Sequence, residues 1–143
     1  MAPKLFRILI PASDIDMATR FYQTVLARDG IRVSDGRHYF DLGGTIMACY
    51  DPRADGDGYD AKPNPEHYYI AVDDLDKTFA RCQSVGAEFA TGNLDGAPLG
   101  AIAVRPWGER CFYIKDPTGN PVCFVDSTTM FTGKRESDVL PDP

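Results

Sequence analysis

The chain writes one short phrase twice. Ile10-Pro11-Ala12-Ser13-Asp14-Ile15-Asp16 returns 60 residues later (74 − 14) as Ile70-Ala71-Val72-Asp73-Asp74-Leu75-Asp76. In each copy an apolar alternating run meets a Ser/Asp cap and passes into an amphipathic helix. Two strand–helix units predict an internally duplicated domain, and a duplicated sheet leaves a cleft between its halves. The repeat is longer than solenoid periods, and two copies are too few for an array.

A length of 143 residues suits one domain, expected to span 1–143. The formal charge of −6 leaves no basic stripe to neutralise phosphates, so nucleic acid is not an expected partner. No apolar run approaches the roughly 20 residues needed to cross a bilayer, so no membrane partner is expected either. The first residues show no leader pattern, and a cytoplasmic location is the expectation. Cys49, Cys82, Cys111 and Cys123 lie in no zinc-like spacing, and Cys49, Cys82 and Cys123 sit inside apolar patterns that predict buried, reduced thiols.

Periodicity supplies the elements. Leu5–Ile10 predicts a strand, and Ser13 a helix cap with Asp16 as its capping-box partner. Ile15, Ala18, Phe21, Tyr22, Val25 and Leu26 follow at helical spacing, up to Asp29-Gly30. Gly30–Val33, Arg37–Leu42 and Thr45–Tyr50 predict three strands, with hairpin turns at Ser34-Asp35-Gly36 and Gly43-Gly44. The first unit, 4–51, is therefore β-α-β-β-β. Residues 52–65, rich in proline, glycine and aspartate, predict a solvated linker. The second unit, 66–127, repeats the order: a strand His67–Val72, a cap at Asp73, a helix closed by Gly86, and a strand Ala87–Ala90. A glycine-rich excursion follows to Gly100, then strands Ala101–Arg105, Arg110–Lys115 and Pro121–Asp126. A polar tail, 128–143, is predicted at the surface.

Ile10-Pro11-Ala12-Ser13-Asp14-Ile15, the helix residues Phe21-Tyr22 and Val25-Leu26, and Phe112-Tyr113-Ile114-Lys115-Asp116-Pro117-Thr118-Gly119-Asn120-Pro121 together carry a likeness. On these residues the chain resembles the vicinal oxygen chelate superfamily of glyoxalases, extradiol dioxygenases, and fosfomycin- and bleomycin-resistance proteins. The likeness spans about Leu5 to Asp126. It implies an α+β fold in which two βαβββ modules form a curved mixed sheet, a cup, with helices on its outer face. Members that do chemistry hold a divalent metal there, on a His or Gln of the first strand and a Glu of the fourth strand of each module. The matching positions here are Arg7 and His67, and those near Ala48 and at Cys123. Only His67 is an ordinary ligand, so the resemblance implies no cofactor; if a metal binds, His67 and Cys123 are the residues to hold it. Arg7 would repel a dication by about 4 kcal/mol at an effective dielectric of about 20.

Strand alternation places Arg7 and Leu9, His67, Tyr69 and Ala71, and Cys123 and Val125 inside the cup. A cation in mid-strand must be paired or meet an anionic ligand. Arg105-Pro106-Trp107-Gly108-Glu109-Arg110 is similar to a P-W-G-x-R segment of bleomycin-resistance-like members, where the Trp lines the groove. The expected ligand-binding residues are thus Arg7, His67, Tyr69, Trp107, Arg110 and Cys123. The leading expectation is a metal-independent small-molecule binding protein, holding an aromatic or charged compound in the groove of a homodimer. The alternative is a metal-dependent lyase, isomerase or dioxygenase with an atypical ligand set, in which His38, Glu109 or a partner chain supplements His67 and Cys123.

Overall fold

Both copies of the repeated phrase become a strand leading into a helix, in a computed structural model that describes residues 2–133. The first copy opens the series β1 (Arg7–Pro11), α1 (Ile15–Leu26), β2 (Ile31–Ser34), β3 (Arg37–Leu42) and β4 (Thr45–Tyr50). The second opens β5 (Tyr68–Val72), α2 (Leu75–Ser84), β6 (Glu88–Phe89), β7 (Asn93–Leu94), β8 (Ala97–Pro98), β9 (Ala103–Val104), β10 (Arg110–Lys115) and β11 (Pro121–Asp126). A single 3₁₀ turn, Ser127–Thr129, follows. It begins the expected polar tail, whose residues 134–143 lie outside the described residues. No helix among the described residues is long and apolar enough to cross a membrane.

The α+β architecture follows the duplication. Hydrogen bonds arrange the strands as two mixed sheets of matching order, β1-β4-β3-β2 and β5-β11-β10-β6. In each, the first strand lies parallel to the last and every other pairing is antiparallel. Both caps sit one residue later than the sequence suggested. Asp14 accepts from the Met17 amide at 3.1 Å, and Asp74 from the Lys77 amide at 3.0 Å. Ser13 is diverted, because its amide donates to Thr118 Oγ1 at 3.0 Å and its hydroxyl faces the same oxygen. Asp16, the expected capping-box partner, instead pairs with Arg32 at 2.9 Å. The first helix also ends early: Ala27 takes a left-handed conformation (φ 52°) and its amide bonds back to the Gln23 and Thr24 carbonyls.

One core joins the modules. Ile10, Phe21, Tyr22, Phe40 and Met47 from the first pack with Ile70, Leu75, Phe112, Ile114 and Phe124 from the second. Phe79 stands edge-on to Phe112 at 5.0 Å, extending the aromatic layer beneath α2. The linker is not merely solvated. Asp51 is buried and accepts from the Ile15 and Ala54 amides at 3.2 and 3.0 Å, and Asp55 accepts from Ser34 Oγ at 2.7 Å and the Gly36 amide at 2.9 Å. Those bonds hold the Asp55 carboxyl below its ordinary range, the Ser34 hydroxyl contributing most.

The Asp116–Asn120 turn ties the second module to the first. Asp116 Oδ1 accepts from the amides of Thr118, Gly119 and Asn120 at 3.0, 3.1 and 2.9 Å, and Oδ2 accepts from Tyr22 Oη at 2.6 Å. Asn120 Nδ2 donates to Asp116 Oδ2 at 2.8 Å and to the Pro11 carbonyl at 2.7 Å, and its Oδ1 accepts from the Asn64 amide at 2.8 Å. Burial, then the Asp116 charge, pushes the Tyr22 phenol well above its ordinary value. A raised folded-state value means the stabilisation is complete below about pH 10 and is lost as pH rises further. Tyr22→Phe is therefore expected to lower stability by about 1.5–3 kcal/mol at neutral pH and to flatten the alkaline limb of the unfolding curve. Urea titrations at pH 7 and pH 11 check both, and identical curves for the two proteins would contradict it.

Candidate functional site

Strand register sorts the side chains between the helix side of each sheet and its open face. In the first sheet Leu9 lies opposite Ala48 and Ala48 opposite Tyr39, while Arg7, Ile46 and Asp41 form the neighbouring row. In the second, Tyr69 lies opposite Cys123 and Cys123 opposite Tyr113. Ile10 and Ile70 are buried on the helix side, so the alternation expected for Arg7, Leu9, His67 and Tyr69 is the one observed. The register adds a correspondence invisible in the repeated phrase: Tyr39 and Tyr113 occupy equivalent places in the two modules.

The first module presents Arg7, Leu9, Tyr39, Arg37 and Tyr50 on its open face. Arg7 is exposed, and its guanidinium carbon lies 5.2 Å from the Phe6 ring and 5.9 Å from that of Tyr39. No carboxylate lies within ion-pairing distance of Arg7 among the described residues. The cation thus meets solvent and aromatic faces, rather than the internal partner that a buried arginine would require. Arg37 lies 4.5 Å from the Tyr50 ring, donates to Tyr39 Oη at 3.1 Å and approaches Asp55 at 3.6 Å. Two guanidiniums and two phenols therefore share one open surface.

The second module is different, because its own chain covers the open face. Cys111, Tyr113, Cys123 and Val125 form a small buried cluster beneath Ala90 and Leu99. The covering strap contains the β7–β8 hairpin, whose two-residue strands are too short for periodicity to reveal. Its anchor is Arg105, only 2% exposed. The guanidinium donates to the carbonyls of Ala101 (2.9 Å), Cys111 (3.2 Å), Leu99 (3.3 Å) and Pro98 (3.4 Å), and Nε donates to Cys111 Sγ at 3.4 Å. It also stands 5.3 Å from the Tyr113 ring. The sequence contained a usable signal for Arg105, a cation closing an apolar alternation just before Pro106, but nothing local shows that the strap folds back over the sheet.

His67 and Tyr69 remain at the margin of this covered face. His67 is exposed just before β5, edge-on to Tyr113 at 5.1 Å and 6.3 Å from Tyr69, which is 62% exposed. Trp107 is 41% exposed, with Nε1 donating to Glu109 Oε1 at 2.6 Å. Glu109 Oε2 also accepts from the Phe131 amide at 2.9 Å, so this carboxylate is committed to shaping the turn. Arg110 lies on the other side of the strand from Cys111, paired with Asp76 at 3.1 Å and Asp126 at 3.5 Å. It braces α2 and does not face a groove. His38 lies on the helix side, buried, with Nε2 at 2.8 Å from the Asp29 carbonyl. The six expected site residues are therefore dispersed: Arg7 on one sheet, His67 and Tyr69 on the other, Trp107 on a turn, Cys123 beneath the strap and Arg110 behind.

The four positions where metal ligands were looked for carry a guanidinium, a methyl group, an imidazole and a thiol. Ala48 and Cys123 are fully buried, and no three His, Cys, Asp or Glu side chains among the described residues converge on a common point. This donor set does not fit a divalent ion, which needs several oxygen, imidazole or thiolate ligands together.

Paired β-α-β-β-β modules, one with its sheet face open and one with that face covered by its own chain, define the class. The chain belongs to the Glyoxalase/Bleomycin resistance protein/Dioxygenase superfamily, whose family model matches residues 4–124. Among solved structures it is similar to a glyoxalase/bleomycin resistance protein from Albidiferax ferrireducens (16% identity, 84% of this chain and 95% of that one, TM-score 0.68). It is also similar to the oxidase ChaP-H2 (22% identity, 88% and 94% covered, TM-score 0.68). A third is lactoylglutathione lyase from Agrobacterium tumefaciens (19% identity, 87% and 94% covered, TM-score 0.62). At these identities the likeness is one of fold. No curated protein matches the chain.

Proposed function

We propose that this protein is a metal-independent small-molecule binder, akin to the bleomycin-resistance-like branch of its superfamily. Its ligand is a planar compound bearing an anionic group, held on the open face of the first module and closed over by a second copy of the chain. The observation that carries the reading is Arg7: a guanidinium near two aromatic rings, with no carboxylate within ion-pairing distance among the described residues, at a position where chelating relatives place a metal ligand. Arg37 and Tyr39 add donors beside it, and Leu9 and Tyr50 add apolar and aromatic contact. Exposed Phe6, Leu9, Ile31 and Val33 give a second copy apolar surface to cover.

Calorimetric titration with a panel of aromatic carboxylates tests the ligand class. Arg7→Ala is expected to weaken binding at least about tenfold, since a charge-assisted hydrogen bond contributes about 1.5–3 kcal/mol. Lys at the same position should restore part of it. Sedimentation at micromolar concentration is expected to give a dimer. Stoichiometric zinc, iron, nickel or manganese in purified protein, with turnover abolished by chelation, would replace this reading with a metalloenzyme.

A further inference from the structure

The small cluster under the strap contains a pair of thiols for which small-molecule binding has no use. Cys111 and Cys123 sit on adjacent antiparallel strands, offset by one diagonal step: Cys111 lies opposite Val125 and Cys123 opposite Tyr113. Both side chains point to the open face and pack in the same small cluster. The Arg105 guanidinium is buried beside them with no carboxylate within ion-pairing distance among the described residues. A buried cation needs an anion or a full set of acceptors. Four carbonyls supply most of that set, and among the described residues Cys111 Sγ is the one hydrogen-bond partner of Arg105 that can become an anion.

The molecule carries its own comparison. Cys49 and Cys82 are as fully buried as Cys111 and Cys123, but they belong to the main core and touch no guanidinium. Burial pushes both up to about 12. Cys111 is drawn down to about 6 by its neighbour Cys123, then by Arg105, while Cys123 is pushed up. Access differs too. The hydrophobic residues packed over the pair among the described residues are the partly exposed Ala90 and Leu99, whereas Cys49 of β4 and Cys82 of α2 sit in the main core between sheet and helices.

We propose that Cys111 and Cys123 form an oxidisable dithiol that closes to an intramolecular disulfide when a hydroperoxide reaches it. The Cys111 thiolate attacks the terminal peroxide oxygen, the O–O bond breaks, and the leaving alkoxide or hydroxide takes a proton to depart as alcohol or water. The sulfenic acid formed on Cys111 is then attacked by the Cys123 sulfur. That step forms the S–S bond, and the Cys123 proton leaves with the sulfenic hydroxyl as water. Overall, two thiols are oxidised and one peroxide is reduced. Closing the diagonal gap to a covalent S–S length also takes Cys111 Sγ away from Arg105, which loosens the strap's anchor.

The test is timed exposure of the native protein to hydrogen peroxide, then denaturation, alkylation and peptide mapping. The expected result is a Cys111–Cys123 linked peptide appearing at least about tenfold faster than alkylatable Cys49 or Cys82 is lost. In Cys123→Ser the expected product is a sulfenic acid on Cys111, trapped by a 1,3-dicarbonyl reagent, with no disulfide. Equal rates for all four cysteines would mean that oxidation follows unfolding, and would overturn the proposal. So would four thiols that stay equally alkylatable, or trapping that marks Cys49 or Cys82 ahead of Cys111.

Discussion

Asp116→Ala is expected to destabilise the protein by about 3–5 kcal/mol, an apparent loss of about 10–20 °C in melting temperature for a chain of this size. The carboxylate receives five hydrogen bonds, three from the backbone of its own turn and one each from Tyr22 and Asn120. Removing it strands the Tyr22 hydroxyl and one Asn120 amide proton in the interior, and each stranded group costs about 1–3 kcal/mol. The damage also spreads, because Asn120 then loses its orientation toward the Pro11 carbonyl and the Asn64 amide. First strand, first helix, linker and last hairpin all meet at this point. Asp116→Asn preserves shape but turns an amide nitrogen toward one set of donors, so it should fall between alanine and wild type. Thermal melts of both, against the exposed Glu66→Ala as reference, decide the matter; an Asp116→Ala melt within 2–3 °C of that reference (about 0.5–1 kcal/mol) would remove the turn from its structural role. The polar groups of the Asp116–Asn120 turn are thus already used in holding the modules together.

How far the sequence disclosed this molecule depended on whether the deciding contact was local. The strands Arg37–Leu42, Thr45–Tyr50, Arg110–Lys115 and Pro121–Asp126 appear with the predicted bounds, because alternation between turn glycines is a local signal. The first cap falls one residue beyond Ser13 because Ser13 answers to Thr118, 105 positions away, and the second falls one beyond Asp73, whose carboxylate accepts from Ser127 Oγ at 3.3 Å. Alternation also assigned Arg7, Leu9, His67 and Tyr69 to the correct side of their strands. It could not say what lies over that side. On the first sheet the linker residues Asp55, Asp57 and Tyr59 reach the end formed by Arg37 and Tyr50, and on the second a strap of two-residue strands lies over the face. Arg110 shows the opposite failure: a motif resemblance put it in a groove, while the pleat turned it toward Asp76 and Asp126. The arginine that needed an internal explanation was Arg105, whose partners are mostly carbonyls of an irregular segment with no pattern to read.

Arg105→Met is the sharper test of that segment, because two effects oppose each other. Removing a buried charge relieves desolvation, and a well-packed apolar replacement of a buried ion is often neutral or stabilising. That outcome requires its partners to be satisfied afterwards. Here they are the carbonyls of Pro98, Leu99, Ala101 and Cys111, which methionine cannot serve. The strap's other tethers are the Ala90 amide to the Tyr113 carbonyl at 3.0 Å, the Tyr113 amide to the Leu99 carbonyl at 3.0 Å, the Arg105 amide to the Glu109 carbonyl at 2.8 Å and the short pairing of β9 with β10. Pro98 and Ala101 can swing out to water, which limits their share of the loss, whereas Leu99 and Cys111 are held against β10. The Leu99 carbonyl keeps the Tyr113 amide, so the stranded Cys111 carbonyl and the packing lost around the guanidinium carry the effect, and the expected net loss is about 1–3 kcal/mol. The loss should be local before it is global. Amide exchange in residues 90–105 is expected to accelerate at least tenfold under conditions where the amides of β3 and β4 exchange as in wild type. If the variant melts at the wild-type temperature with unchanged exchange in the strap, the carbonyls do not depend on Arg105, and the covered face of the second module is held closed by Leu99 packing alone.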